Sequence, residues 1–108
     1  VQLLIDTGAD TTMIAEIHMR SLGLTPSGAA PVRTITTGVT GAACNTYDAS
    51  LRIDSHLFGD RPHEIPALEV LAQELHNEGI DGLLGRDVLS TVLTTIDGPR
   101  RTFILQWA

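Results

Sequence analysis

The chain has 108 residues, one domain's worth, and 43% of them are hydrophobic, enough for a modest core that a partner subunit would help to complete. Thirteen acids stand against seven arginines and no lysine, so the net charge of -6 gives no electrostatic footprint for nucleic acid, and a lysine-dependent phosphate loop is excluded. No apolar run reaches the roughly 18–20 residues that span a bilayer, no signal peptide is visible, and the one cysteine, Cys44, excludes an internal disulfide. A reducing, cytoplasmic setting fits these features, although nothing in the sequence specifies the compartment.

In chain order, Val1 to Ile5 reads as a short, buried strand. The chain opens in this strand without an initiator Met, which reads as a piece of something longer. Asp6-Thr7-Gly8-Ala9-Asp10 is a loop. Met13, Ile14, Ile17 and Leu22 then recur at helical spacing, with Asp10 or Thr11 as a cap and Gly23 at the helix end. Thr25 to Pro31 is a small-residue connector. Val32 to Thr37 and Ala43 to about Leu57 are strands joined through the turn Gly38-Val39-Thr40-Gly41, a long hairpin. Gly59 to Pro62 is another turn, Ile65 to Leu71 a strand, and Gln73 to Gly79 a polar stretch of helical or loop character. Ile80 to Gly85 is apolar strand and turn, and Arg86 to Leu93 a short helix. Thr94 to Ile96 leads to the Asp97-Gly98-Pro99 turn, and Thr102 to Trp107 closes the chain as a strand, with Trp107 anchoring it by packing. The expectation is one mainly β domain over residues 1–108, with short helices.

Most side chains with chemical potential lack a supporting pattern. His18, His56, His63 and His76 are scattered without zinc-ligand spacing, and no metal site or cofactor is expected. Cys44 falls in a strand and reads as a small buried hydrophobe. No serine sits in a Gly-x-Ser-x-Gly elbow. Asp6 stands apart, because it ends an apolar strand, where a carboxylate is costly unless it has partners. Next to Thr7 and Gly8, an isolated Asp would most often be a turn acid or a helix cap. Gly8, lacking Cβ, lets another backbone come close.

Leu3-Leu4-Ile5-Asp6-Thr7-Gly8-Ala9-Asp10 resembles the active-site segment of aspartic proteases, in its extended form that of the retroviral-type, retropepsin-like branch. A second segment, Ile80-Asp81-Gly82-Leu83-Leu84-Gly85-Arg86-Asp87-Val88-Leu89, resembles the apolar-apolar-Gly run and Gly-Arg-Asp/Asn helix of the same enzymes, in the family's order. The Thr37–Ala43 hairpin lies where the family carries its flap. The helix after the active-site loop looks closer to bacterial and cellular retropepsin-like domains than to compact viral ones.

The resemblance implies an acid-protease fold, closed and barrel-like, with one lobe per chain. It implies an aspartic endopeptidase in which two carboxylates about 3 Å apart share one proton and activate a water. Only Asp6 carries the full motif; Asp81-Gly82 and Asp97-Gly98 lack the buried strand and threonine. The second carboxylate therefore belongs to Asp6 of a second copy, and the resemblance implies a C2 homodimer acting on an extended peptide or protein. Thr7, Gly8 and Ala9 support the loop, and Asp10 pairs with Arg86 within each subunit. Gly38, Val39, Thr40 and Gly41 form the flap, and Ile35, Val39, Leu83 and Leu84 line substrate pockets. The sequence departs from the family in two places. Only five residues precede Asp6, so the domain is expected to lack the N-terminal strands that help build the sheet and the dimer. Thr40 also sits in the flap tip between Val39 and Gly41. The competing reading is a catalytically silent retropepsin-like domain for dimerisation or peptide binding.

Overall fold

A computed structural model describes residues 1–31, 43–56, 59–73 and 79–108. Its elements are β1 (Leu3–Ile5), β2 (Met13–Ala15), α1 (Glu16–Ser21), β3 (Gly28–Pro31), β4 (Ala43–Ile53), β5 (His63–Gln73), β6 (Gly82–Leu84), α2 (Arg86–Leu89), β7 (Leu93–Asp97) and β8 (Thr102–Gln106). The chain is mainly β, as its pattern implies. Six strands form one mixed sheet in the order β1-β6-β2-β5-β4-β3, and β7 and β8 make a separate hairpin. The strands do not close into a barrel among the described residues, because β1 and β3 are opposite edges of an open sheet.

The centre of this sheet positions the loop that follows β1. Strand β6 is inserted between β1, to which it runs parallel, and β2, to which it runs antiparallel. Residues 6–12 must therefore leave the end of β1, pass over the end of β6 and return beside it as β2. Both ends of the loop are fixed by hydrogen-bonded strands, a rigid support for a functional loop.

Side-chain alternation sorts the core onto two faces of the sheet. On one face Ile14, Tyr47, Val70 and Ala72 pack with Met19 of α1, and Leu3, Leu24, Ala49 and Leu68 surround them. On the other face Met13 and Cys44 pack with Leu71 and Leu83. Cys44 is thus the small buried hydrophobe that its strand position predicts. Register shifts between Ala49 and Leu51, a bulge that bends the long β4–β5 ladder.

Burial on both faces explains why Met13–Ala15 is a strand where the apolar spacing predicts helix. All three residues are buried between β5 and β6, and a strand covered on both sides does not alternate. The helix begins only at Glu16, without a side-chain cap from Asp10 or Thr11. Its end matches expectation: Gly23 takes φ +72°, and the amides of Gly23 and Leu24 donate to the carbonyls of Arg20 and Met19. The connector before Pro31 contains a strand, because Gly28–Pro31 pairs with β4. Its proline is tolerated because β3 is an edge. The second helix stops at Leu89, and Leu93 begins β7. The hairpin strand expected over Val32–Thr37 lies outside the described residues; the described partners of β4 are β3 and β5. Trp107 stacks on His63 at 5.5 Å and donates its indole N–H to the Arg61 carbonyl, which ties the end of the chain to the start of β5. Among the described residues no helix is long and apolar enough to cross a membrane.

Candidate active site

Asp6 is the first residue beyond β1 and is half-buried. Its backbone N–H donates to the Leu84 carbonyl at 3.1 Å, which extends the β1–β6 pairing by one bond. One carboxylate oxygen accepts the Gly8 amide at 3.0 Å, and its carbonyl accepts the Ala9 amide at 3.2 Å. The side chain is thus oriented by its own turn, as Asp often is two residues ahead of an amide. A Cβ at position 8 would come within 3.3 Å of that same carboxylate oxygen. Thr7 and Gly8 are exposed at the crest of the loop.

The loop rests on the segment Leu84–Asp87. The Arg86 amide donates to the Ala9 carbonyl at 2.8 Å, and the Asp87 amide to the Asp10 carbonyl at 3.3 Å. The Arg86 guanidinium reaches the Thr7 carbonyl at 3.2 Å and forms an ion pair with the Asp10 carboxylate. The structure thus brings Asp10 and Arg86 together. Both side chains are more than half exposed, and exposed pairs contribute only about 0–1 kcal/mol. Orientation of the loop, rather than global stability, is what this pair can supply.

Glycines permit the close crossing beneath. A Cβ at Gly85 would stand 2.7 Å from the Thr11 carbonyl carbon and 3.0 Å from the Ala9 oxygen. One at Gly82 would run into the Met13 carbonyl and come within 2.9 Å of the Ile14 Cα. Between them, Leu84 is buried at 4% exposure, while half-buried Leu83 packs on the Met13–Cys44 cluster. Ile35 and the flap residues Gly38, Val39, Thr40 and Gly41 lie outside the described residues.

Two residues to which the sequence reading gave no role complete the support. Thr12 is fully buried, and its amide and hydroxyl donate to the two Asp87 carboxylate oxygens at 2.9 and 2.7 Å. The Thr12 hydroxyl also accepts the Gly85 amide at 3.1 Å. The available signal was slight: a threonine at the start of an apolar run, and an acid directly after Arg86.

Two other acids around the sheet, Asp81 and Glu16, have partners of their own. Asp81 accepts the Gln2 amide at 2.6 Å and lies 2.8 Å from His18 Nε2, and these two contacts hold its carboxyl below the usual carboxylate range. Glu16 is buried in the sheet face under α1, where hydrogen bonds from Asn45 and then Tyr47, at 2.7 and 2.8 Å, hold it below the ordinary glutamate range. Burial, followed by the bond to Glu16, pushes the Tyr47 phenol up. Among the described residues no His, Cys, Asp and Glu side chains gather into a group fit for a metal ion. A cavity of about 610 Å³ lies between the far end of β4 and β8, and no residue of the Asp6 loop lines it.

Asp6 thus lies just beyond the edge strand β1, which is only partly buried rather than the buried strand its sequence suggests, on a loop strapped to the Gly-led helix α2. A family model described as aspartyl protease matches residues 1–88, from the first strand through the Gly85-Arg86-Asp87 segment. The chain belongs to that aspartyl protease family, of retropepsin-like type. No curated protein matches it.

Proposed function

We propose that this chain is an aspartic endopeptidase that works as a C2 homodimer, with one Asp6 carboxyl from each subunit. The observation that carries the reading is Asp6 itself. It is held at the end of β1 by the Leu84 carbonyl and aimed by the Gly8 amide, on a loop braced by Arg86. The sequence offers this arrangement once per chain, and general acid–base hydrolysis by carboxyls needs two.

In the dimer the two Asp6 carboxyls share one proton, because like charges this close do not both ionise. The ionised one takes a proton from a water held between them as the water oxygen bonds to the scissile carbonyl carbon. The other gives its proton to the carbonyl oxygen. Collapse of the tetrahedral species breaks the C–N bond, with a proton delivered to the leaving nitrogen. The substrate is an extended peptide, and the Gly38–Gly41 tip covers it. No metal or cofactor takes part in these steps.

The test is to incubate the protein and its Asp6→Asn variant with a diverse peptide library from acidic to neutral pH. Cleavage by the parent alone, with a bell-shaped pH profile, is the expected result. A folded dimeric parent that cleaves nothing would move the assignment to a silent peptide-binding or dimerisation domain.

A further inference from the structure

We infer that Thr12 and Asp87 form a clasp that positions the Asp6 loop, so that both are positioning residues for the hydrolysis. The kinetic part of this inference rests on the peptidase reading above. The loop begins at Asp6 and ends at Thr12, and its mid-section is held by bonds from the amides of Arg86 and Asp87. The Asp10–Arg86 ion pair is exposed and weak in water. The clasp has the opposite character. Thr12 has no exposed surface; its amide and hydroxyl are satisfied across the crossing, and its carbonyl accepts the Leu71 amide of β5 at 3.0 Å. Asp87 accepts three donors: the Thr12 amide, the Thr12 hydroxyl and its own neighbour's Val88 amide at 2.8 Å.

The Thr12 hydroxyl acts as a relay, accepting from Gly85 on the β6 side and donating to Asp87 on the α2 side. It fixes the height of the returning strand against the segment whose Leu84 carbonyl holds the Asp6 amide. A shift of the strand end would tilt the loop and with it the carboxyl. Buried bonds of this kind are directional and costly to leave half-made.

Thr12→Val keeps the shape but removes the relay, whereas Thr12→Ser keeps it. Asp87→Leu keeps roughly the size but removes every acceptor for the Thr12 amide and hydroxyl, whereas Asp87→Asn, the family's other residue here, can still accept one and donate to the other. For folded, dimeric Thr12→Val we expect kcat to fall roughly ten- to hundred-fold with KM within about two-fold, because misplacement of a reacting group acts on the chemical step. Thr12→Ser should restore most of the rate, and Asp87→Leu should lose rate in the same sense. Amide hydrogen exchange provides a second readout that needs no catalysis. The Asp6 and Ala9 amides, which neither variant touches, should exchange about ten-fold faster in Thr12→Val, while those of Val70 and Ala72 keep their protection. Unchanged exchange at Asp6 and Ala9 in either Thr12→Val or Asp87→Leu overturns the clasp. So does a folded variant of either kind with full kcat. If the unsubstituted protein cleaves no peptide, the peptidase reading fails, and the exchange experiment alone decides the clasp.

Discussion

At the scale of single residues, the site depends on a carboxylate whose position is set by its own loop. Asp6→Asn keeps the oxygen that accepts the Gly8 amide and loses only the ionisable group. Cleavage should drop by about 10²–10⁴-fold while the thermal midpoint stays close to that of the parent, since that is what a general base contributes. Assay of both proteins at equal folded concentration checks this, and retained cleavage would remove Asp6 from the mechanism. Gly85→Ala acts differently. Its Cβ would press on the Thr11 and Ala9 backbone, which cannot yield without moving the loop. Overpacking of this kind costs about 1–3 kcal/mol, to be read from urea unfolding, and the loss of rate should exceed the loss of folded protein. Asp6, Asp10 and Arg86 were legible in the sequence because two short motifs name them. Thr12 was not, because a β-branched residue before an apolar run looks like strand filling. Its partner Asp87 lies 75 positions away, and only the β1-β6-β2 crossing reveals their contact.

At the scale of elements, α1 is tied to the sheet by a buried carboxylate. Glu16 is 8% exposed, and one of its oxygens takes both the Asn45 and Tyr47 bonds. These bonds hold its acidity below the ordinary glutamate value, so the unfolded chain binds this proton more readily than the folded one. Its contribution to stability is therefore complete above the ordinary glutamate range and is lost as pH falls through the lowered folded value. Glu16→Gln should lower the thermal midpoint at neutral pH, and its midpoint should converge on that of the parent as the solution is acidified through and below that range. Thermal melts of both proteins from neutral pH into acid measure the difference; curves that stay parallel would contradict the assignment. A lowered value keeps the tie intact in mildly acidic solution, where an aspartic dyad has its working range. The same region shows where element reading from sequence reaches its limit. Helical spacing of Met13, Ile14 and Ile17 arises by accident, because two of the three belong to a strand buried on both faces. Gly28–Pro31 has the composition of a connector and becomes a strand only because β4 offers it an edge. By contrast, the Schellman end of α1 was legible, since Gly23 is local chemistry.

At the scale of the whole molecule, one Asp6 per chain leaves the proposed chemistry half-assembled in a single subunit. The nearby acids are engaged elsewhere: Asp10 with Arg86, Asp87 with Thr12, and Asp81 with Gln2 and His18. A mechanism needing two carboxyls then ties activity to subunit pairing, and dilution should lower the rate per chain once the dimer dissociates. Mixing gives a sharper test than dilution. When parent chains exchange freely with an excess of Asp6→Asn chains, most parent subunits sit opposite an asparagine. With random pairing in a two-fold dimer, activity per parent chain falls to about half at equal amounts and to about a tenth at nine-fold excess. A chain that acts alone would keep its full rate at every ratio, because the variant merely dilutes it. Cleavage measured against the mixing ratio, at constant parent concentration and after time for exchange, separates the two. A hyperbolic fall places one Asp6 on each side of the water. A flat line would require the second carboxyl to come from the same chain.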